Sequence, residues 1–110
     1  MAGETLGLVQ GTVDVLILKT LTWEPMHGYG ISQWIRQRTD GALGVADAAL
    51  YQALHRLERK GWVESEWGIS DTRRKAKFYR ITRAGRKQLQ SDVAELRRYM
   101  DALFKVLQPT

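Results

Sequence analysis

The sequence has no cysteine and only two prolines and two histidines among 110 residues. Without a thiol there is no disulfide framework, thiolate zinc site or cysteine nucleophile, and two imidazoles leave little for a histidine-built metal centre. Long apolar runs are missing as well. The longest, Val15 to Leu18, falls far short of the roughly 20 residues that a membrane span requires. The first residues show neither the basic start nor the apolar stretch of a signal peptide, so the expected location is the cytoplasm, with no membrane partner. Internal repeats, low-complexity tracts and Ser- or Pro-rich linkers are also lacking. What is present is an ordinary globular mixture, 44% hydrophobic and 26% charged. A chain of this size hides about two-thirds of its unfolded surface, enough for a core of its own.

The net charge of +5 is unevenly placed. Residues 1–50 hold 3 basic and 5 acidic side chains, residues 51–90 hold 11 and 4, and residues 91–110 hold 3 and 3. From Arg73 through Arg74, Lys75, Lys77, Arg80, Arg83 and Arg86 to Lys87 no acid intervenes. Such a stretch is the electrostatic footprint of a polyanion binder, with a merely solvated basic face as the alternative.

Hydrophobic spacing predicts a first helix from Thr12, its cap, to about Trp23, ended by Pro25. Val13, Leu16, Ile17 and Leu21 form one stripe; Val15 and Leu18 lie on another side, which suggests a second contact such as another subunit. A second helix is predicted from His27 to Arg38. A third, capped by Asp47 and stopped by Gly61, buries Leu50, Ala53, Leu54 and Leu57. At 100° per residue its opposite side carries Ala48, Gln52, His55, Arg56 and Arg59, with Ala49 and Tyr51 on the flanks. Two strands follow, Trp62–Trp67 and Ala76–Thr82, joined by a turn-rich, basic tip. Thr82 then caps a long helix to about Leu107, in which Leu89, Val93, Leu96, Met100, Leu103 and Leu107 repeat at coiled-coil spacing. A stripe of that kind at the end of a small domain calls for a partner, and a second copy supplies one.

Three helices, a basic hairpin and a long helix give a mainly α (α+β) fold: a winged helix-turn-helix over residues 1–82 with a C-terminal dimerisation helix over 83–110. In that design one helix enters the major groove and the hairpin lies along phosphates. The candidate base-reading residues are Ala48, Ala49, Tyr51, Gln52, His55 and Arg56. Gln contacts adenine, and Arg guanine, in a bidentate manner, while small residues let the backbone approach. Arg73, Arg74, Lys75, Lys77 and Arg80 are the candidate phosphate contacts. Val15, Leu18, Leu89, Val93, Leu96, Met100, Leu103 and Leu107 are the candidate dimer interface. Arg83, Arg86 and Lys87 oppose the dipole of the last helix at about 0.3–1 kcal/mol each, so phosphates, or Glu64 or Glu66, are expected to compensate.

The segments GTVDVLIL (11–18), HGYGI (27–31), LYQALHRLE (50–58) and KFYRITRAG (77–85) resemble, in order, the signatures of the PadR family of transcriptional regulators. The likeness spans about residues 8 to 107. It implies a winged-helix homodimer, joined through its first and last helices, that binds a pseudo-palindromic operator in double-stranded DNA and usually represses. Relatives often control transporter or detoxification genes, and some release DNA on binding a small molecule. Two departures stand out. Ala49 and Gln52 replace the family's common Ser and Pro around Leu-Tyr, which points to a different operator. The last helix carries no Trp, so Tyr99 or Phe104 would have to supply a drug-stacking surface, and no small-molecule effector is predicted. The four tryptophans read as core or wing-base packing. No metal-ligand spacing, phosphate loop or Ser-His-acid set is found, so no catalytic residues, cofactor or metal are expected. A winged helix used for protein contacts remains the alternative.

Overall fold

The computed structural model describes residues 11–109. Residues 1–10 of the 1–82 segment, which include the start of the family likeness at 8–10, fall outside them, as does Thr110. Four helices and a small sheet follow one another as α1 (Thr12–Thr20), β1 (Met26–His27), α2 (Gly28–Arg38), α3 (Asp47–Arg59), β2 (Val63–Ile69), β3 (Lys75–Ile81) and α4 (Arg83–Leu107). The arrangement is the winged helix expected from the sequence.

Several boundaries differ from expectation for local reasons. Gly11, not Thr12, is the N-cap of α1. The helix ends at Thr20, because the chain tightens into three-residue bonds, Thr22 N–H to the Lys19 carbonyl (3.1 Å) and Trp23 N–H to that of Thr20 (3.2 Å). Pro25 therefore acts on an extended segment, not on a helix end. That segment continues into β1, which the sequence reading missed; two residues are too few to show an alternation. β1 pairs antiparallel with β3, Met26 opposite Tyr79, so the sheet order is β1-β3-β2. Ala46, with no side-chain bond, is the N-cap of α3 in place of Asp47. The Asp47 carboxylate sits instead in the first turn, where the helix dipole favours it. At α2 the cap is His27, whose Nδ1 accepts the Gly30 N–H at 3.0 Å.

β2 and β3 pair from Val63–Ile81 out to Ile69–Lys75, so towards the tip β2 runs two residues and β3 one residue further than predicted. Gly68 is thus in the strand, beneath the Phe78 ring, and the tip is shorter than expected. At the base of the hairpin, Thr82 donates its N–H to the Trp62 carbonyl (3.0 Å) and its hydroxyl to that of Gly61 (2.7 Å). The same hydroxyl oxygen accepts the Gly85 N–H, which caps α4. A Cβ on Gly85 would overlap the Trp62 carbonyl oxygen, so only glycine lets the helix start this close to the strand.

The core joins Ile17, Leu18 and Leu21 of α1, Ile31 and Ile35 of α2, Leu50, Ala53, Leu54 and Leu57 of α3, Val63, Tyr79 and Ile81 of the sheet, and Leu89 of α4. Two expected interface residues are therefore reassigned. Leu18 is 0% exposed and Leu89 8% exposed, both closed off inside the chain's own core. Val13, Val15, Leu16 and Val93 pack partly against it. Beyond Val93, α4 leaves the body. The radius of gyration, 15.4 Å, exceeds the value of about 13 Å for a compact chain of this length, and the longest dimension is 56 Å.

Candidate nucleic-acid interface

Burial of Leu50, Ala53, Leu54 and Leu57 fixes which side of α3 faces out. Ala48, Ala49, Tyr51, Gln52 and His55 are all exposed there. Arg56 departs from the expected set. Its Nη2 donates to Asp14 Oδ1 at 2.5 Å, which ties the trailing half of α3 to α1. The helical wheel puts Arg56 outside, and α1 packs where the wheel shows open solvent. Tyr51 leans across the entry of α2, where its hydroxyl fills the space a Cβ on Gly28 would need. Tyr79 lies behind it, and burial, then the Glu58 carboxylate, then Tyr51, hold the Tyr79 phenol above its ordinary range.

The wing ends in a compact turn. The Ser70 N–H donates to the Arg74 carbonyl (2.9 Å) and the Arg73 N–H to that of Ser70 (2.8 Å). The Ser70 Oγ accepts the Arg74 N–H at 3.3 Å. Arg73 takes a left-handed backbone, φ 60°, to close it. Residues 71–75 are all exposed. Among the described residues, Arg73, Arg74 and Lys75 have no carboxylate at ion-pair distance.

Strand alternation divides the remaining cations. Lys75, Lys77, Tyr79 and Ile81 share the face that turns towards α3, where the Ser65 hydroxyl donates to Glu58 at 2.6 Å and the Lys77 ammonium stands 3.9 Å from the same carboxylate. Arg80 points to the opposite face, bonded to Glu64 at 3.2 Å. It therefore stands apart from the cations expected to act with it, and Glu64 is engaged with it instead of with the start of α4. Among the described residues no carboxylate pairs with Arg83, Arg86 or Lys87 either.

Between the wing and the α2–α3 entry runs a groove of about 1290 Å³, lined by Tyr29, Gln33, Tyr51, Trp67, Arg74, Lys75 and Lys77 among others. Tyr29, 67% exposed, accepts from Gln33 Nε2 at 2.5 Å. Tyr29, Gln33 and Trp67 were not among the expected site residues. The alternation Val63, Ser65, Trp67 already put Trp67 on the face that looks at α3, but size and apolarity favoured a reading as packing. That reading fails for Trp67 and Trp23, 63% and 61% exposed. Trp23 instead shares the Arg38 guanidinium with Trp34, 5.7 and 5.1 Å from the two ring centres.

On the far side, the α4 stripe continues as half-buried Leu96 and exposed Met100, Leu103 and Leu107, flanked by exposed Tyr99, Phe104 and Val106. A hollow of about 510 Å³ beside it is lined by Val15, Trp62, Leu96 and Tyr99 with Asp14, Asp92 and Glu95. Among the described residues no helix is long and apolar enough to cross a membrane, and no group of three or more acidic or imidazole side chains could hold a metal ion.

Residues 17–91 match the transcriptional regulator PadR-like family. A transcriptional regulator of Clostridium thermocellum, Cth-833, is 32% identical with a TM-score of 0.82, over 90% of this chain and 93% of that one. A PadR family transcription regulator of Clostridium difficile R20291 is 26% identical with a TM-score of 0.76, over 89% of this chain and all of that one (100%). PadR of Bacillus subtilis, solved in complex with operator DNA, shares the fold at 21% identity and a TM-score of 0.66, over 74% of this chain and 47% of that one.

Proposed function

Because the chain belongs to the PadR-like family of transcriptional regulators, we propose that it is a cytoplasmic, sequence-specific DNA-binding repressor that acts as a homodimer on a pseudo-palindromic operator. The observation that carries the reading is the groove. The wing, whose Arg74 and Lys75 have no carboxylate partner among the described residues, forms one wall, and the entry of α2 with Tyr51 of α3 forms the other. The exposed side of α3 continues from Tyr51 to Ala48, Gln52 and His55, so a duplex with that helix in its major groove would bring its backbone to the wing. Ala48, Ala49, Gln52 and His55 read base edges, Tyr51 borders them, and Arg73, Arg74, Lys75 and Lys77 hold phosphates. Arg83, Arg86 and Lys87, which have no carboxylate partner among the described residues, add to the same field.

Residues 1–82 supply recognition and residues 83–110 supply pairing. The apolar stripe from Leu96 to Leu107 is too long and too exposed for an isolated helix, and Val93 and Val15 border it from the body. A second copy of the same stripe is its natural cover.

Salt dependence tests the reading. About four phosphates per subunit, eight per dimer, give a log-log slope near −7 at roughly −0.9 per contact. A slope near zero contradicts it and favours a protein-docking module. Leu96→Glu places a charge in the seam and should yield monomers in sedimentation with most operator affinity lost; an unchanged mass would move the interface elsewhere. Repression is read from a reporter driven by a protected inverted repeat, and higher output in the presence of the protein would reverse the sign.

A further inference from the structure

Trp67 is the one tryptophan that lines the wing groove. It stands on β2 opposite Lys77, on the hairpin face that turns towards α3, and is 63% exposed. The Lys75 ammonium lies 5.2 Å from its ring centre. Lys77 hangs over the next ring inward, 6.0 Å from the centre of Tyr79. A broad apolar plate is thus held open to solvent with cations around it, next to Arg74 of the turn, which has no carboxylate partner among the described residues. With Ile69, 68% exposed two residues along the same strand face, the ring forms an apolar patch in a charged frame, and such a patch marks a contact surface. Its complement is a ligand that alternates negative charge with apolar C–H surface, and a nucleic-acid backbone does so at every nucleotide: phosphate, then sugar.

We propose that Trp67 packs on a deoxyribose of the duplex backbone while Lys75 and Arg74 engage the flanking phosphates. The inference rests on the DNA-binding reading above and adds to it an uncharged, sequence-independent anchor in the wing. Such a contact releases no counterion, so it contributes affinity without adding to the salt slope.

The experiment compares the full chain with Trp67→Ala and Trp67→Phe on an operator duplex and on a random duplex over a range of salt. Trp67→Ala should weaken both duplexes by on the order of tenfold, in line with other aromatic contacts to nucleotides, and leave the slope unchanged. Tryptophan emission of the unsubstituted chain should change on duplex addition, and that change should vanish in Trp67→Phe, because Trp23, Trp34 and Trp62 do not line the groove. Unchanged thermal unfolding of both variants would place the effect in binding. Wild-type affinity in Trp67→Ala overturns the proposal. So does a slope that falls by about 0.9 per subunit, which would make the ring only a support for Lys75. If the unsubstituted chain binds neither duplex, the DNA reading itself falls; if it binds and only the Trp67 results fail, that reading stands without this contact.

Discussion

α3 is held by four buried apolar side chains, whereas the outer half of the β2–β3 hairpin extends past the core on strand hydrogen bonds and a five-residue turn. The helix and the wing are thus built on opposite principles. On α3 the exposed Ala48, Ala49, Tyr51 and Gln52 carry no charge, and the cation at Arg56 is tied to Asp14. On the wing the cations at the tip have no carboxylate partner among the described residues, and the apolar ring of Trp67 is exposed. A reading element needs a fixed position, because hydrogen bonds to base edges tolerate little displacement; an element that grips backbone needs charge and reach. The difference separates recognition from adhesion along the sequence itself.

The largest expected effect tests the anchoring. Leu54→Ala should cost about 2–5 kcal/mol in denaturant unfolding, because α3 loses a fully buried side chain. An equal truncation on the wing, Ile69→Ala, should stay within about 0.5 kcal/mol. Comparable losses would mean that the wing is as integrated as the helix. Next comes the division of roles. Gln52→Ala should lose about 1–3 kcal/mol of discrimination at one base pair. Arg74→Ala should weaken every duplex alike and flatten the salt slope by about 0.9 per subunit. If both variants act equally on operator and random DNA, the contrast collapses. A smaller effect belongs to Arg56→Ala, which should cost about 0.2–1 kcal/mol of stability through the partly exposed Asp14 pair and leave the salt slope intact. A flattened slope would return Arg56 to the DNA-contacting set. The smallest is Arg73→Gly. Relief of its left-handed backbone should raise the unfolding midpoint slightly, by less than about 1 kcal/mol in stability, while binding weakens. A lower midpoint would show that the side chain, not the turn geometry, stabilises the tip.

The sequence carried the helix order, the α3 core stripe and the exposed positions of Ala48, Gln52 and His55, because a 3.6-residue period is a local property of the chain. Where the reading failed, the deciding contact was distant in sequence. Leu18 and Leu89 belong to the core because α1 and α4 close on it, and no period reveals how far along α4 the body extends. Arg56 finds Asp14 42 residues away. Trp67 has the residue type of a core position but stands two residues beyond Ser65, whose partner Tyr79 is the last buried residue on that face, and only the strand pairing shows that.

The close seat of Gly85 beneath the Trp62 carbonyl, locked by the two Thr82 bonds, leaves no hinge between wing and α4. In the proposed dimer the two wings are then the ends of a single rigid caliper whose opening is set where the paired α4 helices cross. Inserting one base pair between operator half-sites turns one of them by about 34° and moves it by about 3.4 Å. A caliper without a joint has no means to follow, so the regulator should measure spacer length as strictly as it reads bases.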